Sequence, residues 1–583
     1  MKTTISLNGK WKFTPTHDQH LRNNKQMVNG QPLYAHPALT RCDWENVPVP
    51  GVWQKYAEKY SIYEGVCWYF REFEIPELPD GIFANLVFKG VDYRADVYVN
   101  GQYAGWHESA YTEFSLDVSA LVRGGRNCIA VQVDNRPLMV KWPTDWGYGV
   151  YGGIHRDVYL ELYQGGFLYD IEVTPDYDVE KECGILTLRG RAGAEIPESV
   201  TVRLGESEQV ISCDGKLFSA RLEYPGVVAW SPESPALYDL RVEVEDSVCK
   251  ACRIGFRHVE CKQKKFLLNG RVFPMNGACY VYDSPRYGLV MATDQLLEDL
   301  REMKAANVNA IRTHYPMADA FYELCDEMGF LVWIEPNVYC TQPSLQEENT
   351  FFKQPDYVEN AVNMTKEMIF SARQFASVVI YGIGNECNTR HPEALPFFTA
   401  LADTIRAEDT TRLVGYASYY GKVGTIGHLV DIMGANSYFG WYGTISDFEL
   451  EDKRPEENGM VPVREADVSQ LHGMLEQMNQ ELGEDIPILL TEFGADSIPQ
   501  YLSSARELWS ENYHAHVVSR VIEESAKHPE VAGTFVFAFT DYLDPSKAKN
   551  GRWNDYNLKG MLTYQRERKL PFYALQKAYS VKK

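Results

Sequence analysis

The chain has 583 residues, 45% hydrophobic and 23% charged, a composition typical of a soluble globular protein. This length exceeds what one hydrophobic core usually holds, so we expect two or three domains. The formal net charge of −23 argues against nucleic acid or an anionic membrane surface as a partner. The sequence has no apolar run of about 18 residues and no apolar signal segment near its start, so we expect a cytoplasmic protein without a membrane span.

Two β-rich blocks come first. Residues 1–165 contain alternating runs such as ADVYVNG (95–101) and NCIAVQVDN (127–135), separated by Gly, Asp and Asn turns. Residues 166–260 contain further strand patterns, including YDLRVEV (238–244), at a spacing that suits a small sandwich. We therefore predict two β-sandwich domains.

The pattern changes after residue 260, where short apolar runs alternate with helical stretches such as DQLLEDLREMKAAN (294–307). Eight βα units over about 320 residues predict a (β/α)₈ barrel over residues 261–583, and hence a multidomain β plus α/β fold. The eight strand candidates are VFPMNGACY (272–280), VNAIRT (308–313), FLVWIE (330–335), SVVIYGIGNE (377–386), LVGYAS (413–418), DIMGANSY (431–438), PILLTEFG (487–494) and VAGTFVFAF (531–539).

Polar side chains lie at the carboxyl ends of these strands, the end of a barrel that carries active sites. Two glutamates follow especially apolar strands, Glu386 and Glu492. Burying a lone carboxylate costs several kcal/mol, so a purely structural origin is awkward for both, although either one could pair with Arg312 or cap a helix. The remaining strand-end candidates are His314, Glu335, Asn385, Asn436 and Tyr438.

Two glutamates facing each other across a barrel mouth suit glycoside hydrolysis. One carboxylic acid protonates the leaving oxygen, and the other carboxylate attacks the anomeric carbon or activates water. Their surroundings must therefore differ, so that one stays protonated near neutral pH and the other is ionised. We expect the apolar wall of the strand to raise the pKa of the acid.

The order of sandwich, sandwich and barrel resembles glycoside hydrolase family 2, which holds β-galactosidases, β-mannosidases and β-glucuronidases. The resemblance implies a jelly-roll, sugar-binding-like first domain, an immunoglobulin-like second domain and a catalytic TIM barrel. It extends along nearly the whole chain through LNGKWKF (7–13), GVDYRADVYVNG (90–101), GGIHRDV (152–158), VAWSPESPALYDL (228–240), GFRHVE (255–260) and NAIRTHYP (309–316).

The resemblance also implies roles for individual residues. The family's G-N-E motif maps the acid/base onto Glu386 and a contact to the sugar 2-hydroxyl onto Asn385, and its T-E-F-G motif maps the nucleophile onto Glu492. Members retain anomeric configuration, which implies carboxyl groups about 5 Å apart. Catalysis is expected to need no cofactor and no metal. Non-catalytic flavin mononucleotide (FMN) binding stays open, because some gut-bacterial relatives bind it, and a homodimer or homotetramer is expected.

The sugar is indicated by the segment NLK, in which Asn557 and Lys559 resemble the N-x-K motif of bacterial β-glucuronidases. An ammonium and an amide supply charge and a directed hydrogen bond to a C6 carboxylate. By the same resemblance Tyr438 lies beside the nucleophile. Further substrate contacts are predicted for Asp145, Tyr442, Arg552 and Trp553.

Two positions depart from the family pattern. Val281 stands where members often have a sugar-binding histidine, and Phe537 stands where a tryptophan is common. We predict a retaining exo-β-glucuronidase acting on small-molecule or oligosaccharide glucuronides. Two alternatives remain: a β-galacturonidase or β-galactosidase of the same family, and a non-catalytic carbohydrate-binding protein on a hydrolase barrel.

Overall fold

The computed structural model describes residues 2–16, 27–28, 31–32, 35, 44–78, 81–136, 141–142, 151–245, 247–339, 351–442, 463–545 and 555–580. Three predicted site residues, Asp145, Arg552 and Trp553, lie outside the described residues. Within these ranges, no helix combines the length and the hydropathy needed to cross a bilayer.

The first block is a two-sheet sandwich. Its sheets have the orders β1-β14-β7-β11 and β10-β9-β12-β6-β2-β5, with short pairs β13-β8 and β3-β4 beside them. The alternation seen in the run ADVYVNG places Val97 and Val99 in the hydrophobic core of this domain. The strands are β1 Lys2–Ser6, β2 Gly9–Pro15, β3 Met27–Val28, β4 Gln31–Pro32, β5 Glu45–Val49, β6 Val66–Ile75, β7 Phe83–Phe88, β8 Val91–Asp92, β9 Arg94–Val99, β10 Gln102–Glu108, β11 Phe114–Asp117, β12 Gly125–Asp134, β13 Gly153–Ile154 and β14 Val158–Tyr163.

The second block is a smaller sandwich with sheets β15-β16-β19 and β18-β17-β20-β21 around its own core. A three-stranded sheet, β22-β23-β24, then leads into the barrel. The strands are β15 Leu168–Asp178, β16 Cys183–Ala192, β17 Ser199–Leu204, β18 Ser207–Ser212, β19 Leu217–Pro225, β20 Tyr238–Val244, β21 Ser247–Ile254, β22 Val259–Lys262, β23 Lys265–Leu268 and β24 Arg271–Val272. The domain boundaries near residues 165 and 260 stay a prediction.

The eight predicted apolar runs form a closed parallel barrel, β25 to β32 in chain order, which confirms the predicted fold class. Its strands are β25 Met275–Cys279, β26 Ala310–Arg312, β27 Leu331–Ile334, β28 Val378–Asn385, β29 Leu413–Tyr419, β30 Ile432–Asn436, β31 Ile488–Glu492 and β32 Val531–Val536, followed by the short pair β33 Tyr542–Leu543 and β34 Tyr556–Asn557. The α-helices described around it are α1 Thr293–Ala305, α2 Asp319–Met328, α3 Pro355–Ala372, α4 Ala394–Glu408, α5 Ser469–Glu481, α6 Glu511–Ser525 and α7 Leu570–Tyr579.

The two sandwiches contact opposite ends of the barrel. The first packs on loops that follow barrel strands: the ring of Tyr111 stacks on Tyr315 at 4.0 Å, and Tyr151 Oη donates to Asp283 Oδ1 at 2.8 Å. The GFRHVE segment after the second sandwich instead reaches the start of β28, where Arg257 Nη2 donates to the Val378 carbonyl at 2.7 Å. The first sandwich therefore lies beside the active end of the barrel.

Candidate active site

The polar strand-end residues converge because neighbouring parallel strands end at the same rim. Asn436 at the end of β30 is the register partner of Glu492 at the end of β31, and Arg312 closes β26. Glu386 directly follows β28. The barrel thus brings together residues that are up to 180 positions apart in the chain.

Glu492, the predicted nucleophile, is buried and accepts hydrogen bonds on both oxygens. Its Oε1 lies 2.9 Å from Arg312 Nη1 and 3.0 Å from His314 Nε2, and its Oε2 accepts from Tyr438 Oη at 2.6 Å. Burial alone would raise the pKa of Glu492, but the bond to His314, the charge of Arg312 and the bond to Tyr438 together lower it to about 2. The carboxylate is therefore ionised at neutral pH.

Arg312 has no exposed surface and is shared between two carboxylates. Besides Glu492, it binds Glu335, with Nε 2.8 Å from Oε1. Burial raises the pKa of Glu335 although Arg312 opposes the shift. The pairing with Arg312 that the sequence left open for Glu492 is present, and Arg312 binds Glu335 as well. Of these two carboxyl groups, Glu492 is the more strongly ionised.

An amide relay holds Glu386, the predicted acid/base. Asn436 Nδ2 lies 2.8 Å from both Glu386 Oε1 and Asn385 Oδ1, and Asn436 Oδ1 accepts from Thr491 Oγ1 at 2.7 Å. Asn385 Oδ1 also accepts from Arg312 Nη2 at 2.8 Å. Two donors on one atom identify it as the oxygen, so the Asn385 amide nitrogen remains the donor toward other groups.

The backbone of Glu386 is strained, with φ of 51°, a region that residues other than glycine adopt rarely. Such a conformation costs about 1–3 kcal/mol and is found mostly where the surrounding structure requires it. Here the Glu386 amide donates to the Ala417 carbonyl at 2.9 Å, which ties the turn to the neighbouring strand β29. This turn conformation places the half-buried carboxyl group of Glu386 at the barrel mouth.

The lysine of the N-x-K segment lies against the rings of two tyrosines. Lys559 Nζ is 5.6 Å from the ring centre of Tyr438 and 5.0 Å from that of Tyr442. Because the Tyr438 hydroxyl binds Glu492, the Lys559 ammonium and the predicted nucleophile contact the same tyrosine side chain. Asn557 donates to Tyr542 Oη at 3.0 Å and to Asp544 Oδ2 at 3.4 Å, so in this state its amide nitrogen is engaged by protein groups.

Asp496 is a site residue that the sequence did not reveal. Its Oδ2 accepts from Lys559 Nζ at 2.7 Å and from Trp441 Nε1 at 2.9 Å, and its Oδ1 accepts from the Leu558 amide at 3.1 Å. The side chains of Asp496 and Lys559 are each about 1% exposed. Asp496 follows Glu492 by four residues, and that proximity is the one sequence signal that could have pointed to it.

The two departures from the family pattern lie at or near this site. Phe537 follows β32, and its ring centre lies 5.8 Å from that of His314 and 6.4 Å from that of Tyr438. Val281 is buried in the segment after β25, two residues before Asp283, which accepts the hydrogen bond from Tyr151 of the first sandwich. An aliphatic side chain and a phenyl ring therefore stand where the family pattern has an imidazole and an indole, each of which carries an N–H donor.

Two segments of the chain match family profiles of known proteins. Residues 259–582 match the family profile described as glycosyl hydrolases family 2, TIM barrel domain, and residues 4–164 match that of the family 2 sugar binding domain. A β-glucuronidase of Paenibacillus borealis is 26% identical over 97% of this chain and 94% of its own length. A β-glucuronidase of Mus musculus is 26% identical over 98% and 90%, respectively.

Two solved structures are also similar to this chain over its full length. A family 2 β-galacturonidase from Eisenbergiella tayi, bound to galacturonate, superposes with a TM-score of 0.80 at 27% identity, covering 100% of this chain and 98% of that one. An FMN-binding β-glucuronidase from "Facaelibacterium prausnitzii L2-6" has a TM-score of 0.82 at 22% identity, over 100% of this chain and 86% of that one, and shows the shared fold. The chain belongs to glycoside hydrolase family 2 and is a glycoside hydrolase.

Proposed function

We propose that this protein is a retaining exo-β-glucuronidase. The observation that carries the proposal is the buried ammonium of Lys559, which contacts the Tyr438 ring while the Tyr438 hydroxyl binds Glu492. If the anomeric carbon of a sugar lies at Glu492, the Lys559 ammonium is therefore about one tyrosine side chain away from that carbon. A C6 carboxylate is the group of a pyranoside that such a cation recognises.

In the first step Glu492 attacks C1, and Glu386 donates its proton to the departing oxygen. The C1–O bond to the aglycone breaks as the bond from C1 to Glu492 forms, giving a glycosyl-enzyme. Arg312, His314 and Tyr438 hold the attacking carboxylate in place and keep it ionised. In the second step Glu386 takes a proton from water, which attacks C1 and releases glucuronate with retained configuration.

The amide relay supports the separate roles of the two glutamates. Asn436 orients Glu386 and Asn385 together, so the acid and the amide donor for the sugar 2-hydroxyl move as one unit. A bond to the 2-hydroxyl that strengthens in the transition state contributes several kcal/mol in such enzymes. The predicted separation of about 5 Å between the two carboxyl groups stays part of the proposal.

A β-galacturonidase is the second candidate. Glucuronate and galacturonate share the carboxylate and differ in the orientation of the 4-hydroxyl, so Lys559 would serve both. The changes at Val281 and Phe537 favour this alternative, because they remove polar groups expected near the distal hydroxyls. The structural relative from Eisenbergiella tayi also carries that activity in its name.

Initial hydrolysis rates on p-nitrophenyl β-D-glucuronide, β-D-galacturonide and β-D-galactoside, under identical conditions, test the proposal. Dominance of the glucuronide would support it. A preference for the galacturonide would keep the carboxylate contact and move the assignment to the second candidate. A preference for the neutral galactoside would refute recognition through Lys559, and glucuronide binding without product release would indicate a carbohydrate-binding protein.

The proposed reaction uses a glucuronide and water, and none of its steps involves a cofactor. Binding of FMN away from the catalytic centre, a homodimeric or homotetrameric assembly and a cytoplasmic location remain predictions from the sequence resemblance and composition.

A further inference from the structure

Tyr419 is an exposed aromatic residue at the rim of the barrel mouth. It is the last residue of β29, and its side chain keeps 38% of its surface accessible, whereas the six residues before it in the strand are buried. The catalytic steps proposed above assign it no role.

Strand alternation places the Tyr419 side chain on the inner side of the barrel. Tyr416 points outward, where its ring packs on Phe398 of helix α4 at 5.3 Å. Gly415 faces inward, since a Cβ there would lie 2.9 Å from the ring of Trp333, a residue on the same strand face as Glu335. Ala417 and Tyr419 follow Gly415 at intervals of two and therefore face the mouth.

Tyr419 also lies next to the predicted acid/base. It is the register partner of Asn436, which binds Glu386 Oε1, and the Glu386 amide binds the Ala417 carbonyl two residues earlier on the same strand. Burial, followed by the charges of Glu386 and Tyr442, raises the pKa of the Tyr419 hydroxyl, which agrees with this proximity.

Two neighbouring side chains contact the ring and restrict its motion. Lys422 Nζ lies 5.0 Å from the ring centre of Tyr419, and the Tyr420 ring meets it edge-on at 4.9 Å. Tyr420 is in turn braced by Phe439 at 5.3 Å. A ring that is already fixed loses little conformational entropy when a ligand stacks on it.

Because Glu386 protonates the oxygen between sugar and aglycone, the aglycone must extend from Glu386 toward the rim. We propose that Tyr419 is an aglycone-binding platform, which stacks on a flat apolar ring attached to the scissile oxygen and so favours aryl glycosides over alkyl ones. This inference rests on the proposed glycosidase mechanism and specifies the leaving-group side of the same site.

The test compares kcat/KM for two glucuronides with activated aglycones, one with a ring (phenyl) and one without (2,2,2-trifluoroethyl). Tyr419→Ala is expected to lower kcat/KM for the phenyl glycoside about 3- to 10-fold, the range of one aromatic contact, and to leave the trifluoroethyl glycoside within about twofold. Tyr419→Phe, which keeps the ring, should retain the wild-type ratio.

Tyr573→Ala, on helix α7 and 50% exposed, is the matched control for loss of a surface tyrosine and should change neither value. Equal losses on both glycosides in Tyr419→Ala, or no loss on either, would overturn the platform. The proposed glycon specificity is judged separately, by the wild-type rates. If the wild type prefers galacturonides, the same pair of aglycones on galacturonate tests Tyr419 independently.

Discussion

Replacing Lys559 by methionine tests both the proposed carboxylate recognition and the electrostatics of the buried site. Methionine keeps most of the side-chain volume and removes the ammonium. The substitution deletes the 2.7 Å contact to Asp496 and leaves that carboxylate buried, while the bonds from Trp441 Nε1 at 2.9 Å and from the Leu558 amide at 3.1 Å are retained. Two separate losses follow, one in stability and one in substrate recognition.

Breaking a buried ion pair by removing one partner typically costs about 3–5 kcal/mol. The retained bonds from Trp441 and the Leu558 amide compensate Asp496 in part, so we expect a loss near the lower end of this range, about 3 kcal/mol in the free energy of unfolding. Adding Asp496→Asn should restore much of this loss, because no uncompensated charge then remains. Recognition is a different quantity: a hydrogen bond to a charged group contributes about 1.5–3 kcal/mol, which corresponds to about 10- to 160-fold in kcat/KM for a glucuronide.

The assay combines urea unfolding with kcat/KM for p-nitrophenyl β-D-glucuronide and for the β-D-glucoside, the same sugar without its carboxylate. Lys569 provides a control for the loss of a buried lysine next to the same segment, since it is equally buried, binds Asp541 Oδ1 at 3.0 Å and donates to the Leu558 carbonyl at 2.8 Å without contacting Asp496 in any bond described above. Lys569→Met should lose comparable stability without a selective loss on the glucuronide. Equal losses on both sugars in Lys559→Met, or recovery of glucuronide activity in the Lys559→Met/Asp496→Asn double variant, would refute recognition by the ammonium.

Three further predictions concern the catalytic groups. Glu492→Ala should abolish turnover with native circular dichroism, because Arg312 keeps Glu335 as a partner; measurable turnover would refute the nucleophile assignment. Tyr438→Phe removes a hydrogen bond that favours ionised Glu492 and should therefore raise the pKa of this carboxyl group from about 2 by about one to two units. Because kcat/KM falls as the nucleophile is protonated, the acidic limb of its pH profile should move up by the same amount. An unmoved limb would contradict this. Glu386→Ala should slow phenyl glucuronide about 10²- to 10⁴-fold and 2,4-dinitrophenyl glucuronide far less, since a good leaving group needs no proton; equal losses would argue against an acid role.

The fold was predictable because the signals that specify it are local. Each barrel strand is a short apolar run bounded by a helix or a turn, and β28 is buried at all eight positions, as expected for a parallel strand covered on both faces. The rule that active sites lie at strand ends then predicts Arg312, Glu386 and Glu492 as site residues. In the structure Arg312 binds Glu492 directly, and the catalytic roles of the two glutamates remain predictions.

Asp496 and Asp544 could not be predicted in the same way. Acidic residues in loops are common, and a sequence does not say which cation a carboxylate will meet when the partner lies 63 positions away, as Lys559 does from Asp496. The role proposed for Tyr419 was hidden for a related reason: a tyrosine at a strand end fits a β-rich core as well as a binding surface. Its exposure and its pairing with Asn436 in the neighbouring strand are evident only in the folded barrel.

The buried pair also bears on how an acidic protein can select an acidic sugar. A net charge of −23 repels a glucuronide at long range, so selection must come from contacts made at short range, where solvent screens them least. On one side of Tyr438, Arg312 and His314 bind Glu492, and Arg312 is shared with Glu335; these contacts keep the predicted nucleophile ionised. On the other side, Lys559 is paired with Asp496, so the carboxylate of the proposed substrate would meet an ion pair of fixed direction and not an isolated cation. Specificity for a uronide would then depend on where that ammonium is held, and Asp496 is the residue that holds it.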